Sequence, residues 1–461
     1  MRKINGLKFS AAVCTLGCRV NQYESDCVIS EFINLGFEIK EFGDICDVYV
    51  INTCTVTAGS DKKSKQMIRR AKKLNPNAVI AVCGCLSQRN PEIFESHGSD
   101  LHADIIIGTS EKIRIPELCL EQLHVGTRYI VSDSGRHVWR PYKNNILVKP
   151  IGEYKIYENI NAYQSENTRA YVKIQDGCDA KCSYCIIPQV RGTVKSRKYC
   201  DIYAEIKRFN DMDYHEIVLA GIEISSYGKD FEKENLINLL EKLNAEPELT
   251  NIKSIRLSSI DPSIIKKDFI DRLANLDKIA NHFHLSLQSG STRILNLMRR
   301  KYNAETVTEN LFYAKDKIKD LNLTADIIVG FPGETEEDFE KSADIIKLLN
   351  IYHAHVFSYS KRPGTDAENL ENQICENIKN QRSKKISQTC EKIKEEIHKN
   401  NSGREFEVII EDLSRDDFYT AKTRNFLDVK IKKISDTDIR GTVRKIKVTG
   451  YDKDFLYGEI I

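Results

Sequence analysis

The residues best suited to chemistry are cysteines. Cys178-Asp179-Ala180-Lys181-Cys182-Ser183-Tyr184-Cys185 is a C-x3-C-x2-C run set directly after a strand pattern. Thiolates hold iron–sulfur clusters, and a four-iron cube given three of them keeps one iron without a protein ligand. Such an iron is a place where a small molecule can dock and react. Structural zinc usually takes four ligands, and neither a His nor a fourth Cys completes this run. A zinc knuckle lacking a ligand, or three unrelated cysteines, is the plainer alternative.

Three more cysteines lie far apart in the chain, yet each follows a strand pattern. They are Cys18 in Thr15-Leu16-Gly17-Cys18-Arg19-Val20-Asn21-Gln22, Cys54 in Asn52-Thr53-Cys54-Thr55, and Cys85 in Gly84-Cys85-Leu86-Ser87-Gln88. In an open parallel sheet the loops at the carboxyl ends of the strands share one edge, where ligands bind. These thiols are therefore expected to converge on a second cluster of the same kind; buried structural cysteines are the alternative. Cys83 lies two residues from Cys85 and could point the same way along an extended segment. Cys14, Cys27 and Cys119 fall in strand or helix patterns, where a thiol acts as a small hydrophobe.

The elements that must position these groups follow from periodicity. The chain has 461 residues, enough for two to four domains at roughly 100–200 residues each. Short apolar runs at 9–14, 48–52, 78–83 and 104–107, with amphipathic segments between them, indicate an N-terminal open parallel α/β sheet. Residues 132–168 lose periodicity and read as a connector. A second series of strand patterns, at 171–175, 216–220, 254–258, 282–287, 326–331 and 355–359, suggests a central partial (β/α)6 barrel. Thr335-Glu336-Glu337-Asp338 reads as a capping box for the helix that follows. After a lysine-rich helix at about 376–400, Phe406, Val408 and Ile410, then Val429 and Ile431, then Ile446 and Val448 alternate with polar residues. That period of two predicts a small antiparallel β-barrel.

Composition sets the bounds. With 41% hydrophobic and 30% charged residues, disorder is excluded. A net charge of only +2 excludes steering by the whole molecule, so any nucleic-acid contact must come from a local basic surface. Met1-Arg2-Lys3-Ile4 lacks a signal-peptide core, and no stretch approaches about 18 consecutive apolar residues. A cytoplasmic location with no membrane partner is expected, and the fourteen cysteines are read as thiols rather than disulfides.

The C-x3-C-x2-C run at the mouth of a partial barrel resembles the signature of the radical S-adenosylmethionine (SAM) superfamily. By that resemblance, segment 219–223 after the second barrel strand lines the methionine portion of SAM and Glu223 contacts it; an ordinary surface carboxylate is the alternative. The three N-terminal segments, placed ahead of such a core, resemble the first domain of methylthiotransferases, whose glycine–cysteine pair matches Gly84-Cys85. The resemblance extends through Ile187-Pro188-Gln189-Val190-Arg191-Gly192 and Val329-Gly330-Phe331-Pro332-Gly333-Glu334-Thr335. It implies an auxiliary [4Fe–4S] cluster on Cys18, Cys54 and Cys85, a radical-SAM [4Fe–4S] cluster on Cys178, Cys182 and Cys185, and Cys83 as a strand residue. Arg191, with its planar fork, is suited to a carboxylate or phosphate. The domains implied are a methylthiotransferase domain at 7–125, a connector at 126–163, a radical SAM core at 164–395 and a TRAM RNA-binding domain at 398–461.

Within the family, the run from Thr15 to Ser25 resembles the subgroup acting on N6-threonylcarbamoyladenosine in tRNA, the MtaB type. The implied reaction gives 2-methylthio-N6-threonylcarbamoyladenosine at position 37, next to the anticodon, using two [4Fe–4S] clusters, SAM and an electron donor of unknown identity. The tRNA anticodon stem-loop is the expected partner, and a monomer is expected. Between Lys422 and Lys447 nine basic residues face three acidic ones, a local excess suited to phosphate. The alternatives are an isopentenyladenosine or ribosomal-protein methylthiotransferase, or a non-catalytic Fe–S protein that binds RNA.

Overall fold

The computed structural model describes residues 8–96, 98–127, 145–162, 168–433 and 436–461. The chain forms two compact units. One holds the N-terminal sheet together with Gly177–Asp179 and Cys185–Lys195; the other holds the remaining described residues from 168 onward.

In the first unit six parallel strands are described: β1 (Ser10–Thr15), β2 (Glu38–Ile39), β3 (Val48–Thr53), β4 (Val79–Gly84), β5 (Ile105–Ile107) and β6 (Asn145–Leu147). They lie in the order β2-β1-β3-β4-β5-β6. Successive residues of a strand point to opposite faces, and both faces here are buried. Ala12, Tyr49, Ile51 and Val82 pack on Ile68 and Ala71 of the helix Ala58–Leu74. Ala11, Val48, Val50 and Cys83 pack on the other face, against Val28 and Phe32 of Arg19–Asn34 and Cys119 of Ile115–Thr127. That two-sided burial explains strands that read as continuous apolar runs. The strand β6 falls inside the segment expected to be a connector. Its three residues are too few to show a period, and it is defined by pairing with β5. Residues 128–144 and 163–167 of that connector, and the Met1–Ile4 terminus, lie outside the described residues.

The second unit contains β7 (Ala170–Asp176), an edge strand β8 (Lys195–Ser196), β9 (Glu216–Gly221), β10 (Ser254–Leu257), β11 (Ser259–Ile260), β12 (His282–Gln288), β13 (Asn322–Val329) and β14 (Ile351–Ser358). β10 and β11 are one run interrupted at Ser258; the first half pairs with β9 and the second with β12. β7, β9, β10/β11, β12, β13 and β14 thus make the partial (β/α)6 barrel, all pairs parallel. β13 and β14 begin at Asn322 and Ile351, four residues ahead of the starts read from apolar runs. Polar side chains disguise their first halves: Thr324 Oγ1 pairs with ring nitrogens of His282 (2.9 Å) and His284 (2.7 Å). The capping box is present, with Thr335 and Asp338 exchanging hydrogen bonds at the start of Glu336–Leu348.

The last five strands, β15 (Glu405–Leu413), β16 (Phe418–Thr423), β17 (Asp428–Lys432), β18 (Val443–Tyr451) and β19 (Leu456–Ile460), close in the order β15-β16-β17-β19-β18. The pair β17–β19 is parallel, which corrects the expectation of a wholly antiparallel barrel: an odd number of strands cannot alternate in direction all the way round a closed ring. The turn before β17 docks on the partial barrel. Phe426 stacks on His282 with ring centroids 4.4 Å apart, Asn322 Nδ2 donates to the Asn425 carbonyl (3.0 Å), and Arg424 donates to the carbonyls of Asp277 and Ile279. Arg424 therefore points inward and leaves the basic surface counted from the sequence.

Gly84 closes β4 with φ +98°, and a Cβ there would lie 2.4 Å from the Thr53 carbonyl oxygen and 2.6 Å from Asn52 Oδ1. Gly36 has a similar φ of +87° but nothing within 4 Å of an added Cβ. G84A should therefore cost roughly 3–5 kcal/mol, backbone strain plus overpacking, and G36A about 1 kcal/mol. Thermal melts of the two purified variants check this; equal losses would show that the close approach at Gly84 does not matter.

Candidate metal centres

Cys18, Cys54 and Cys85 leave the carboxyl ends of β1, β3 and β4, three neighbouring strands. The Cys18 thiol is exposed, in an extended residue that starts the helix Arg19–Asn34, whereas Cys54 and Cys85 are buried. A Cβ on Gly17 would come within 2.8 Å of Cys54 Sγ, so a glycine is what lets the Cys18 loop lie against Cys54. Burial pushes the Cys54 thiol up to about 11, and the neighbouring Cys85 and Cys18 push the same way. Cys85 is also raised by burial, with Arg191 pulling it down and Cys18 pushing it up. The three sulfurs thus sit in one another's fields.

Cys83 does not join them as an equal. It packs within the sheet, and burial pushes its thiol up to about 11. Gly84 breaks the two-residue period, and Cys85 begins the short helix Cys85–Arg89, packed on Ile186 and Val190. An extended chain would have aimed both thiols one way; the glycine separates them.

The second trio follows β7. Gly177, at φ +71°, brings the chain so close to the Thr193 carbonyl that an added Cβ would overlap it, and the Cys178 amide donates to the Gly192 carbonyl (2.9 Å). Cys178, Cys182 and Cys185 are each half-buried. Arg300 Nη1 lies 3.4 Å from Cys182 Sγ, while its Nη2 donates to Asp261 Oδ2 at 2.5 Å. Beside that cysteine, Ser183 is tied to the carbonyls of Leu297 (2.8 Å) and Met298 (3.2 Å).

Both donor sets consist of sulfur alone, the chemistry of an iron–sulfur cluster. Among the described residues no three His, Cys, Asp or Glu side chains converge as tightly as the ligands of a single ion; thiolates on separate corners of a cube do not need to. A bound cation reverses the effect of burial by deprotonating the thiol outright. Sulfur donors of this kind are what such clusters take.

Glu223 follows β9 at its carboxyl end. Its amide donates to Gln175 Oε1 (2.9 Å) and its Oε2 accepts from Ser226 Oγ, while Oε1 is buried with no hydrogen-bond partner among the described residues. An acceptor left open in this way suits an incoming N–H or O–H donor. Sequence reasoning gave no role to Gln175, read only as the end of a strand, or to Arg300, read only within the run Met298-Arg299-Arg300. It also missed Glu24 and Lys112, which meet Arg191 in the interior: Arg191 Nη1 donates to Glu24 Oε1 (2.6 Å) and Nη2 to Glu24 Oε2 (3.0 Å). The planar fork of Arg191 was the one signal that pointed there.

Comparison with known proteins agrees with this architecture. Residues 172–346 match the Radical SAM superfamily and residues 10–108 match the Uncharacterized protein family UPF0004. A threonylcarbamoyladenosine tRNA methylthiotransferase MtaB of Bacillus subtilis is 37% identical over 95% of this chain and 93% of its own. A protein of the same description from Aquifex aeolicus is 34% identical over 90% and 95%. A tRNA-2-methylthio-N(6)-dimethylallyladenosine synthase of Acetivibrio thermocellus is 32% identical over 97% and 90%. The radical SAM methyltransferase TsrM of Kitasatospora setae, solved with cobalamin and a [4Fe–4S] cluster, shares the fold with a TM-score of 0.53 at 14% identity, over 78% of this chain and 74% of that one. A radical SAM match that follows the UPF0004 match along the chain, with relatives above 30% identity over nearly the whole length, carries the conclusion: the chain belongs to the tRNA methylthiotransferase family of radical SAM enzymes.

Proposed function

We propose that this enzyme converts N6-threonylcarbamoyladenosine to its 2-methylthio derivative at position 37 of tRNA, acting as a monomer in the cytoplasm with an electron donor yet to be identified. The observation that carries the reading is the meeting of Cys18, Cys54 and Cys85 at the ends of adjacent strands, in a chain 37% identical to a relative described as acting on that nucleoside. In this reading Cys18, Cys54 and Cys85 hold the auxiliary cluster and Cys178, Cys182 and Cys185 the radical-SAM cluster. With SAM bound, the latter supplies homolytic chemistry, which the adenosine C2–H requires because it is far too weak an acid for a side chain of near-neutral pKa. Glu223, through its open Oε1, receives a donor from the methionine portion of SAM. Arg300, between Cys182 and Asp261, orients that ligand.

The C-terminal barrel holds the anticodon stem-loop. Lys432, Arg444 and Lys447 have no acidic partner within 4.0 Å among the described residues, whereas Lys422, Lys430, Lys433, Arg440 and Lys445 are paired with carboxylates. The phosphate contacts are therefore assigned to the first three. K447A should lower the slope of log affinity against log salt by about 1, while R424A leaves that slope unchanged. Filter binding of tRNA across a salt series reads both; equal slopes for K447A and wild type would remove the barrel from RNA binding.

A second reading, isopentenyladenosine as substrate, is favoured by relatives such as the one from Acetivibrio thermocellus. Nucleoside analysis of tRNA from a strain lacking the gene separates the two: loss of 2-methylthio-N6-threonylcarbamoyladenosine supports the first, loss of the isopentenyl product the second. For the metal centres, anaerobically reconstituted protein should hold roughly eight irons, falling to about four in C54A and in C85A but unchanged in C83A. Iron loss in C83A equal to that in C85A would put Cys83 in the ligand set instead.

A further inference from the structure

One helix of the N-terminal unit carries more charge than its packing requires. Ala58–Leu74 holds seven Lys or Arg residues and a single acid, Asp61, a surplus of six in a chain whose net charge is +2. Its buried side is Ser64, Ile68 and Ala71, of which Ile68 and Ala71 pack on the sheet. At 3.6 residues per turn, Lys62, Arg69 and Lys73 line the opposite side and Lys63 and Arg70 flank them, all exposed. Arg69 pairs with Asp100, and Lys72 donates to the Ser99 carbonyl (3.0 Å). Among the described residues Lys62, Lys63, Arg70 and Lys73 have no carboxylate within 4.0 Å.

Like charges three or four residues apart on a helix repel, and Lys73 stands so placed from both Arg69 and Arg70. The outer face is therefore a cost to the helix by itself, offset when something negative covers it. Its position is informative too. The helix begins after the N-cap Thr57, three residues beyond Cys54, so the row of cations starts at the edge where Cys54 leaves the sheet. From Lys62 to Lys73 it extends for roughly 17 Å, at about 1.5 Å per residue. A line of cations matches a linear polyanion better than a compact acidic patch, and the tRNA proposed above as substrate is such a polyanion.

We propose that the outer face of Ala58–Leu74 is a further phosphate-binding surface, which holds the sugar–phosphate backbone of tRNA beside the Cys54 loop. This rests on tRNA being the substrate. A merely solvated face would leave the salt dependence of binding where it is, so that dependence tells the two apart.

The test is filter binding, across a salt series, of tRNA purified from a strain that lacks the gene, using the full chain. K62A/K73A should lower the slope of log affinity against log salt by about 2. Between 50 and 200 mM salt the variant then loses about 16-fold less affinity than wild type does. K62E/K73E should bind more weakly still. K347A, which removes an exposed but paired lysine of Glu336–Leu348, should leave the slope unchanged. Thermal melts guard against a folding defect: alanine is a good helix former and the repulsion is relieved, so K62A/K73A should melt no lower than wild type. Unchanged slope and affinity in both double variants overturn the proposal. So does slower reduction of these variants by flavodoxin with tRNA binding intact, which would give this face to an acidic protein. Wild-type protein that retains no tRNA at any salt concentration overturns the tRNA reading instead.

Discussion

Every described strand of the N-terminal sheet runs the same way, and the rest of this molecule's chemistry depends on that. Parallel strands deliver all their exits to one edge. Because β1, β3 and β4 are neighbours, Cys18, Cys54 and Cys85 arrive together although they are far apart in sequence. Glycines finish the arrangement: Gly17 lets one loop lie against Cys54, and Gly84 turns the chain so that Cys85, not Cys83, leaves the sheet. Three loops keep their places relative to one another only if the strands beneath are rigid, and both faces of this sheet are buried.

The interior beside that edge changes the meaning of the run from Thr15 to Ser25. Its polar residues look like candidates for substrate contact when read as letters. In the fold, Asn21 bridges the Leu16 and Thr53 carbonyls, Glu24 sits between Arg191 and Lys112, and Ser25 accepts from Asn52. All three are buried. These three residues of the run are therefore framework of the sheet edge.

The legible parts of the fold were those with a strong local period. The fully apolar strands of the first sheet, the capped helix after Thr335 and the alternating strands of the last barrel appear where the pattern put them, within a residue or two. Strands with polar residues on one face were read late, as at Asn322 and Ile351. β6 was not read at all, since three residues have no period. The cysteine loops were legible because strand ends are predictable; the ion network was not, because Glu24 and Arg191 are 167 residues apart and nothing local announces a partner at that distance. Counting basic residues likewise overstated the outward basic surface of the barrel, since Arg424 serves to dock the barrel.

The thiol environments also bear on the protein's life before iron reaches it. Protonated sulfur is a weak nucleophile and resists oxidation; Cys54 and Cys85, sunk in the interior with their protons held tightly, are sheltered. Cys18 stands in solvent. The newly made polypeptide thus offers oxidants one member of the trio while hiding the other two, and a cube held by all three, as proposed, would close this exposed flank.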